Sequence, residues 1–240
     1  MRLVRRLSPG EWLVGGDEAT LALFGTKGLE EVLQGPDPSY SIQLASGDLD
    51  DLAVLVFVKP GEPPSLYCLS HGRWLKPMPL EGVSNVNTIA RVGDAEWFLA
   101  GRKTSGAAFA AHYHPLFWEI REVEVQANAI LGCAAQRDSG TILAGTVDGA
   151  VFARCGGEWS RSEVVGRPAI AAVALDPLQR GWLGTPGRLW LGFPERRTPY
   201  VPVWSGDGAP IVSIYADAGV VFAMTADGAI IEGRPELGAP

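Results

Sequence analysis

Short apolar runs separated by glycine, proline and aspartate fill this chain from end to end, and no segment of useful length repeats apolar residues at helical spacing. The pattern is clearest between Thr141 and Ser160. Thr141–Gly145 is apolar and ends in small residues, Asp148-Gly149 follows, and Ala150–Ala153 forms a second run. Gly156-Gly157 then leads to Trp159. Asp-Gly and Gly-Gly supply the positive φ angles that tight hairpins need, so the stretch predicts three antiparallel strands in a meander. Alternating strands such as Phe117–Val123 read as half-exposed. First strands apolar on both faces, such as Ala169–Ala174, read as innermost and buried between neighbours.

The same unit returns along the chain with a period of roughly 40 residues, the length of a four-stranded propeller blade. A first unit comprises Arg2–Leu7, Trp12–Gly15, Thr20–Phe24 and Leu29–Leu33; a second, Ser41–Leu44, Leu52–Val58, Leu66–Leu69 and Trp74–Leu80. A third has Val86–Val92, Glu96–Gly101, Ala107–Tyr113 and Phe117–Val125. The fourth adds Ala129–Ala135 and Trp159–Val164 to the meander above. The fifth has Ala169–Leu175, Gly181–Gly184, Leu189–Phe193 and Tyr200–Trp204. A sixth, Ile211–Tyr215, Val220–Thr225 and Ala229–Glu232, runs out in Arg234–Pro240 without a fourth strand. Trp12, Trp97 and Trp182 open second strands and are expected to be buried, while Trp74, Trp118 and Trp159 mark fourth strands. Gly15, Gly101, Gly145 and Gly184 close second strands, where a small residue lets strands converge.

The chain therefore resembles an all-β, six-bladed β-propeller of four-stranded antiparallel blades, a single domain over residues 1–240 with a three-stranded last blade. Thr146-Val147-Asp148-Gly149-Ala150-Val151-Phe152 followed by Trp159 is loosely similar to the Asp-box (BNR) repeat of sialidase-like propellers, with a longer run to the tryptophan. WD40 propellers are a weaker match, because no Gly-His opens a unit and no Trp-Asp closes one. With Met1–Leu7 serving the first blade, the ring is expected to close by side-chain packing, leaving an edge open near Glu232–Leu237.

Charge and cysteine content narrow the function classes. The 30 glycines and 18 prolines are spread as turn punctuation. A net charge of −7, with the basic spots Arg5-Arg6 and Arg196-Arg197 being pairs and not patches, argues against binding nucleic acid. Cys68, Cys133 and Cys155 form no CxxC, which fits small core fillers in a reducing, cytoplasmic setting. Pro9, Gly10 and Glu11 interrupt the only N-terminal apolar stretch, so neither a signal peptide nor a membrane association is expected.

Chemical motifs are sparse. His112 and His114 lie two apart on a strand and so share a face, but a third metal ligand is not local, and no metal or cofactor is expected. No serine sits in a GxSxG elbow, no glycine-rich loop leads into a helix, and Gly47–Asp51 lacks the closing glutamate of a calcium loop. The scattered arginines match no sialidase-type triad, and no catalytic residue is assigned.

Propellers bind through the loops between units and the middle loop of each unit. Here those loops carry Tyr40, Asn85, Asn87, Arg102, Lys103, Arg167, Arg188 and Asp207, with residue types suited to protein recognition. The sequence thus predicts a non-enzymatic scaffold that presents one face to a protein partner. The alternative is an enzyme or glycan-type ligand binder using the axial mouth of a sialidase-like propeller. Polar side chains converging in a deep axial pocket would favour the latter.

Overall fold

The computed structural model describes residues 3–8, 11–48, 51–196, 198–217 and 219–234, with side chains from Leu13 onward. The expected burial of the Trp12 side chain and the edge beyond Arg234 lie outside the described residues.

The chain forms antiparallel sheets laid down in sequence order. The first sheet is β1 (Leu3–Ser8), β2 (Glu11–Gly15), β3 (Thr20–Gly25) and β4 (Gly28–Gln34). The second is β5 (Ser41–Gly47), β6 (Leu52–Val58) and β7 (Ser65–Ser70), with the short β8 (Arg73–Trp74) and β9 (Met78–Pro79) both paired to β7. The third is β10 (Val83–Arg91), β11 (Trp97–Lys103), β12 (Ala108–His114) and β13 (Glu119–Glu122). The fourth is β14 (Ile130–Gln136), β15 (Thr141–Thr146), β16 (Ala150–Cys155) and β17 (Glu158–Glu163). The fifth is β18 (Ala172–Leu175), β19 (Gly181–Gly192), β20 (Val201–Ala216), β21 (Val221–Thr225) and β22 (Ile230–Gly233).

There are five blades, not the six expected from the repeat. The residues of the expected fifth and sixth units belong to one sheet, because β20 is a single 16-residue strand. Its first part pairs with β19 (Leu189↔Trp204, Leu191↔Val201) and its second with β21 (Ile211↔Thr225, Tyr215↔Phe222). Gly206-Asp207-Gly208, which looks like a turn between units, stays inside the strand, where Pro210 pairs with Pro186. Ala172, Ala174, Trp182 and Leu189 nevertheless pack on Ile211, Val221 and Ala223 in one apolar cluster. A flat sheet cannot pack on itself, so this one folds over along β20.

Each remaining core layer lies between sheets adjacent in sequence. In β6, Leu52, Val54 and Val56 face the third sheet, while Ala53, Leu55 and Phe57 face the first. In β11, Trp97 and Leu99 face the second sheet, and Phe98 and Ala100 the fourth. Burial on both faces therefore belongs to the second strand of each interior sheet rather than to the first. The innermost strands are only partly covered, as the burial of β18 and β10 shows.

Trp97 and Trp182 are buried as expected. Trp118 does not open an outer strand. Proline fixes φ and lacks an N–H donor, and Pro115 begins a 3-10 turn that leaves Trp118 left-handed (φ 49) and exposed.

Small residues meet large ones where neighbouring strands converge. A Cβ on Gly145 would lie 2.3 Å from Ile170 Cγ2, and one on Gly184 would lie 2.6 Å from Ile211 Cγ2. Ile42, Val86, Ile130 and Ile170 are fully buried and recur about every 40 residues at or just before an innermost strand, and the fully buried Ile211 continues the spacing within β20.

Candidate functional site

In an antiparallel meander the second-to-third turns and the connections between sheets fall at the same end, which here is one end of the ring axis. Backbone hydrogen bonds tie these segments together: Ala19 N to Tyr40 O (2.8 Å), Thr104 N to Gly82 O (2.8 Å), and Ile170 N to Thr146 O (3.0 Å).

The turn from β15 to β16 is built around Thr146. Its hydroxyl donates to Asp148 Oδ1 (2.6 Å) and accepts from Ala150 N (2.9 Å), while Gly149 takes φ +77. The β21–β22 turn repeats the device, with Thr225 donating to Asp227 Oδ1 and Gly228 at φ +89. The Thr225 hydrogen bond holds the Asp227 carboxyl below its ordinary value. Gly149 has no room for a side chain, because a Cβ there would lie 2.4 Å from Arg167 Cα. Arg167 is itself left-handed (φ 49), and its guanidinium donates to Glu163 Oε2 at 2.8 Å. Val147 and Val165, which sequence reasoning passed over, stand exposed beside it, Val165 at 75%.

The other residues singled out from sequence are placed as follows. Tyr40 donates to Glu62 Oε2 at 2.6 Å and packs against Phe57 and Tyr67. That hydrogen bond pushes its hydroxyl up to about 12. Asn85 donates to Asn87, and Asn87 donates to Ile130 O at 2.6 Å, linking β10 to β14 across the axis side. Thr88 Oγ1 meets Cys133 Sγ at 3.2 Å in the same row, and burial pushes that thiol up to about 12. Arg102 donates to Gly106 O, Lys103 pairs with Glu122, and Arg188 lies over the Trp190 ring at 5.7 Å. Asp207 is exposed on β20. Asn85 and Asn87 are thus occupied in holding sheets together, whereas Arg167 stands with exposed apolar neighbours.

The opposite end carries ion pairs and hydrogen bonds that run from sheet to sheet. Arg91, stacked on Trp97 at 5.1 Å, reaches Asp51 at 3.7 Å, and Arg137 pairs with Asp94. Asp176 and Arg180 form a buried pair, with Trp182 Nε1 donating to the same carboxylate at 3.0 Å. His112 and His114 share Glu96, at 2.6 and 3.6 Å. Burial holds the His112 imidazole below its ordinary value, against the opposing pull of Glu96. Among the described residues no group of three or more His, Cys, Asp or Glu side chains is arranged to hold a metal ion.

None of the three cysteines forms a disulfide. A shallow cleft of about 90 Å³ lies at the outer side, between Ser160–Ser162 on β17 and Pro194 and Tyr200, away from the axis. Among the described residues no helix is long and apolar enough to cross a membrane.

The sequence matches no known family model and no curated protein. Solved structures do share its architecture. The WD40 β-propeller domain of Doa1 superimposes with a TM-score of 0.72 at 10% identity, covering 95% of this chain and 76% of that one. The fold is a β-propeller. The computationally designed Ika8 protein also matches, with a TM-score of 0.67 at 15% identity, covering 98% of this chain and 71% of that one. At such identities the likeness concerns the propeller scaffold and carries no site residues over.

Proposed function

We propose that this propeller is a non-enzymatic interaction scaffold that binds a protein partner in the cytoplasm through the axial end carrying Arg167. One observation carries this reading: Val147 and Val165 are exposed on short, hydrogen-bonded turns, and the Val147 turn packs against Arg167 through Gly149. Arginine is enriched at interface centres, and exposed apolar side chains near it add area to bury. Preorganised turns also lose little conformational freedom on binding. Tyr40, Arg102, Lys103, Arg188 and Asp207 would form the surrounding rim, with Asn85 and Asn87 beneath it.

The test is affinity capture from the native host with quantitative mass spectrometry. The double variant Val165→Asp, Arg167→Glu should lose its specific partner at least about 30-fold, the scale of roughly 2 kcal/mol for a hot spot. Undiminished capture by that variant would overturn the assignment of this end.

A further inference from the structure

The apolar layer between the fourth and fifth sheets ends in hydroxyl groups at the outer side of the molecule. Two cross-strand rows of the fourth sheet lead there, one through Gly145, Val151 and Ser162 and one through Leu143, Ala153 and Ser160. Directly paired residues of an antiparallel sheet point to the same face. Leu143, Val151 and Ala153 pack toward the fifth sheet with Trp190 and Tyr200, so Ser160 and Ser162 face it too. Serine fills little of that space, and a cleft of about 90 Å³ opens here, bounded on the fifth-sheet side by Pro194, Thr198 and Tyr200. Arg161 also lines the cleft, but strand alternation sends its side chain to the other face, where the guanidinium pairs with Glu163 at 2.8 Å.

The hydroxyls of this cleft have complementary capacity left over. Ser160 Oγ donates to Ala153 O at 3.4 Å, which leaves its lone pairs to accept. Thr198 Oγ1 accepts from Phe193 N at 3.0 Å, which leaves its proton to donate. Tyr200 is 6% exposed, and its hydroxyl is buried with no hydrogen-bond partner. That hydroxyl lies beside Pro194, since a Cβ on Gly181 would stand 2.9 Å from it and 3.1 Å from Pro194 Cγ. A buried polar group left unpaired costs free energy, and one placed at a cleft wall calls for a ligand atom that pairs it. The chemistry of that atom follows from its neighbours. A carboxylate or phosphate only accepts and would face the Ser160 lone pairs, whereas an alcohol hydroxyl both donates and accepts. Pro194, Ala153 and the Tyr200 ring supply apolar wall for a short carbon chain.

We propose that the cleft between β17 and the residues Pro194, Thr198 and Tyr200 binds a short neutral polyol, free or as the hydroxyl-bearing edge of a sugar. One ligand hydroxyl donates to Ser160, and its neighbours pair with Thr198 and Tyr200. This site lies on the outer side, away from the axial end, so the two readings can fail independently.

The experiment titrates the isotope-labelled full-length protein with xylitol, with methyl β-glucoside and with sodium propionate, and follows backbone amide shifts by NMR. Xylitol or the glucoside should shift the amides of Ser160, Ser162, Thr198 and Tyr200 saturably, over about 1–50 mM for a ligand with so few contacting atoms. Tighter binding of the glucoside assigns the site to a sugar, and equal or tighter binding of xylitol assigns it to a free polyol. Tyr200→Phe and Ser160→Ala should each weaken binding about five- to tenfold, the worth of one hydrogen bond. Tyr200→Phe removes only an unpaired hydroxyl, so its unfolding midpoint should stay at or above wild type while binding falls. Leu178→Asp, on an exposed residue elsewhere, should leave binding unchanged. No saturable shift with either polyol, shifts confined to other residues, propionate binding at least as tightly, or full affinity in either hydroxyl variant would each overturn the proposal.

Discussion

Asp176 and Tyr200 are buried polar residues with opposite standing. Asp176 accepts from Arg180, from Trp182 Nε1 and from the Leu178 and Arg180 amides. Removing it alone would strand a buried guanidinium, so Asp176→Ala should cost about 3–5 kcal/mol in urea denaturation. The Tyr200 hydroxyl, by contrast, is buried without a hydrogen-bond partner. It already bears a desolvation penalty, so Tyr200→Phe should leave stability unchanged or raise it by up to about 1 kcal/mol. His112 adds a pH dependence. Its folded pKa lies below its ordinary value, so the unfolded chain binds more protons as pH falls through about 6.5. Stability should therefore decline from pH 7.5 to pH 5.5, and His112→Gln should flatten that decline. Neither the partners of Asp176 nor the burial of Tyr200 could be read from sequence, because both depend on how neighbouring sheets meet.

At the scale of elements, the strands and their turns were largely legible. Asp148-Gly149 and Asp227-Gly228 sit where hairpin chemistry requires them, and Trp97 and Trp182 open buried second strands. The hydroxyl of the preceding threonine is what the sequence showed only as a loose Asp-box likeness. Thr146 is fully buried and bonds in both directions, so Thr146→Val should cost about 1–3 kcal/mol by leaving the Ala150 amide unpaired. The junction of β15 with the segment leading into β18 supplies a steric counterpart. Gly145→Ala would drive a methyl into Ile170 and should destabilise by about 1–3 kcal/mol, again by denaturant midpoint. The outer strand of the third sheet was misread because period-2 alternation in Phe117–Val123 masked the turn that Pro115 imposes. Of the candidate site, the loops were legible, but Val147 and Val165 were not. Turn valines stand out only once their exposure is known.

For the whole molecule, blade count was the part the sequence left ambiguous. The repeat spacing is real, as Ile42, Val86, Ile130, Ile170 and Ile211 attest, but spacing counts units and not sheets. Continuity of β20 through Gly206–Pro210 depends on pairing with β19, a long-range outcome that local turn chemistry does not encode. The first and last sheets each expose apolar side chains, Phe24, Leu29 and Val32 on one and Phe222, Met224 and Ile230 on the other, and this has a further consequence. Among the described residues each core layer joins sheets adjacent in sequence or lies within the last one, and none joins the first sheet to the last. Thermodynamically the molecule is a linear array, in which unfolding proceeds as fraying from the ends. Native-state hydrogen exchange should then show a gradient, with amides of β6, β11 and β15 opening slowest and those of β3 and β22 fastest. Covering those two faces would flatten that gradient toward a single cooperative step.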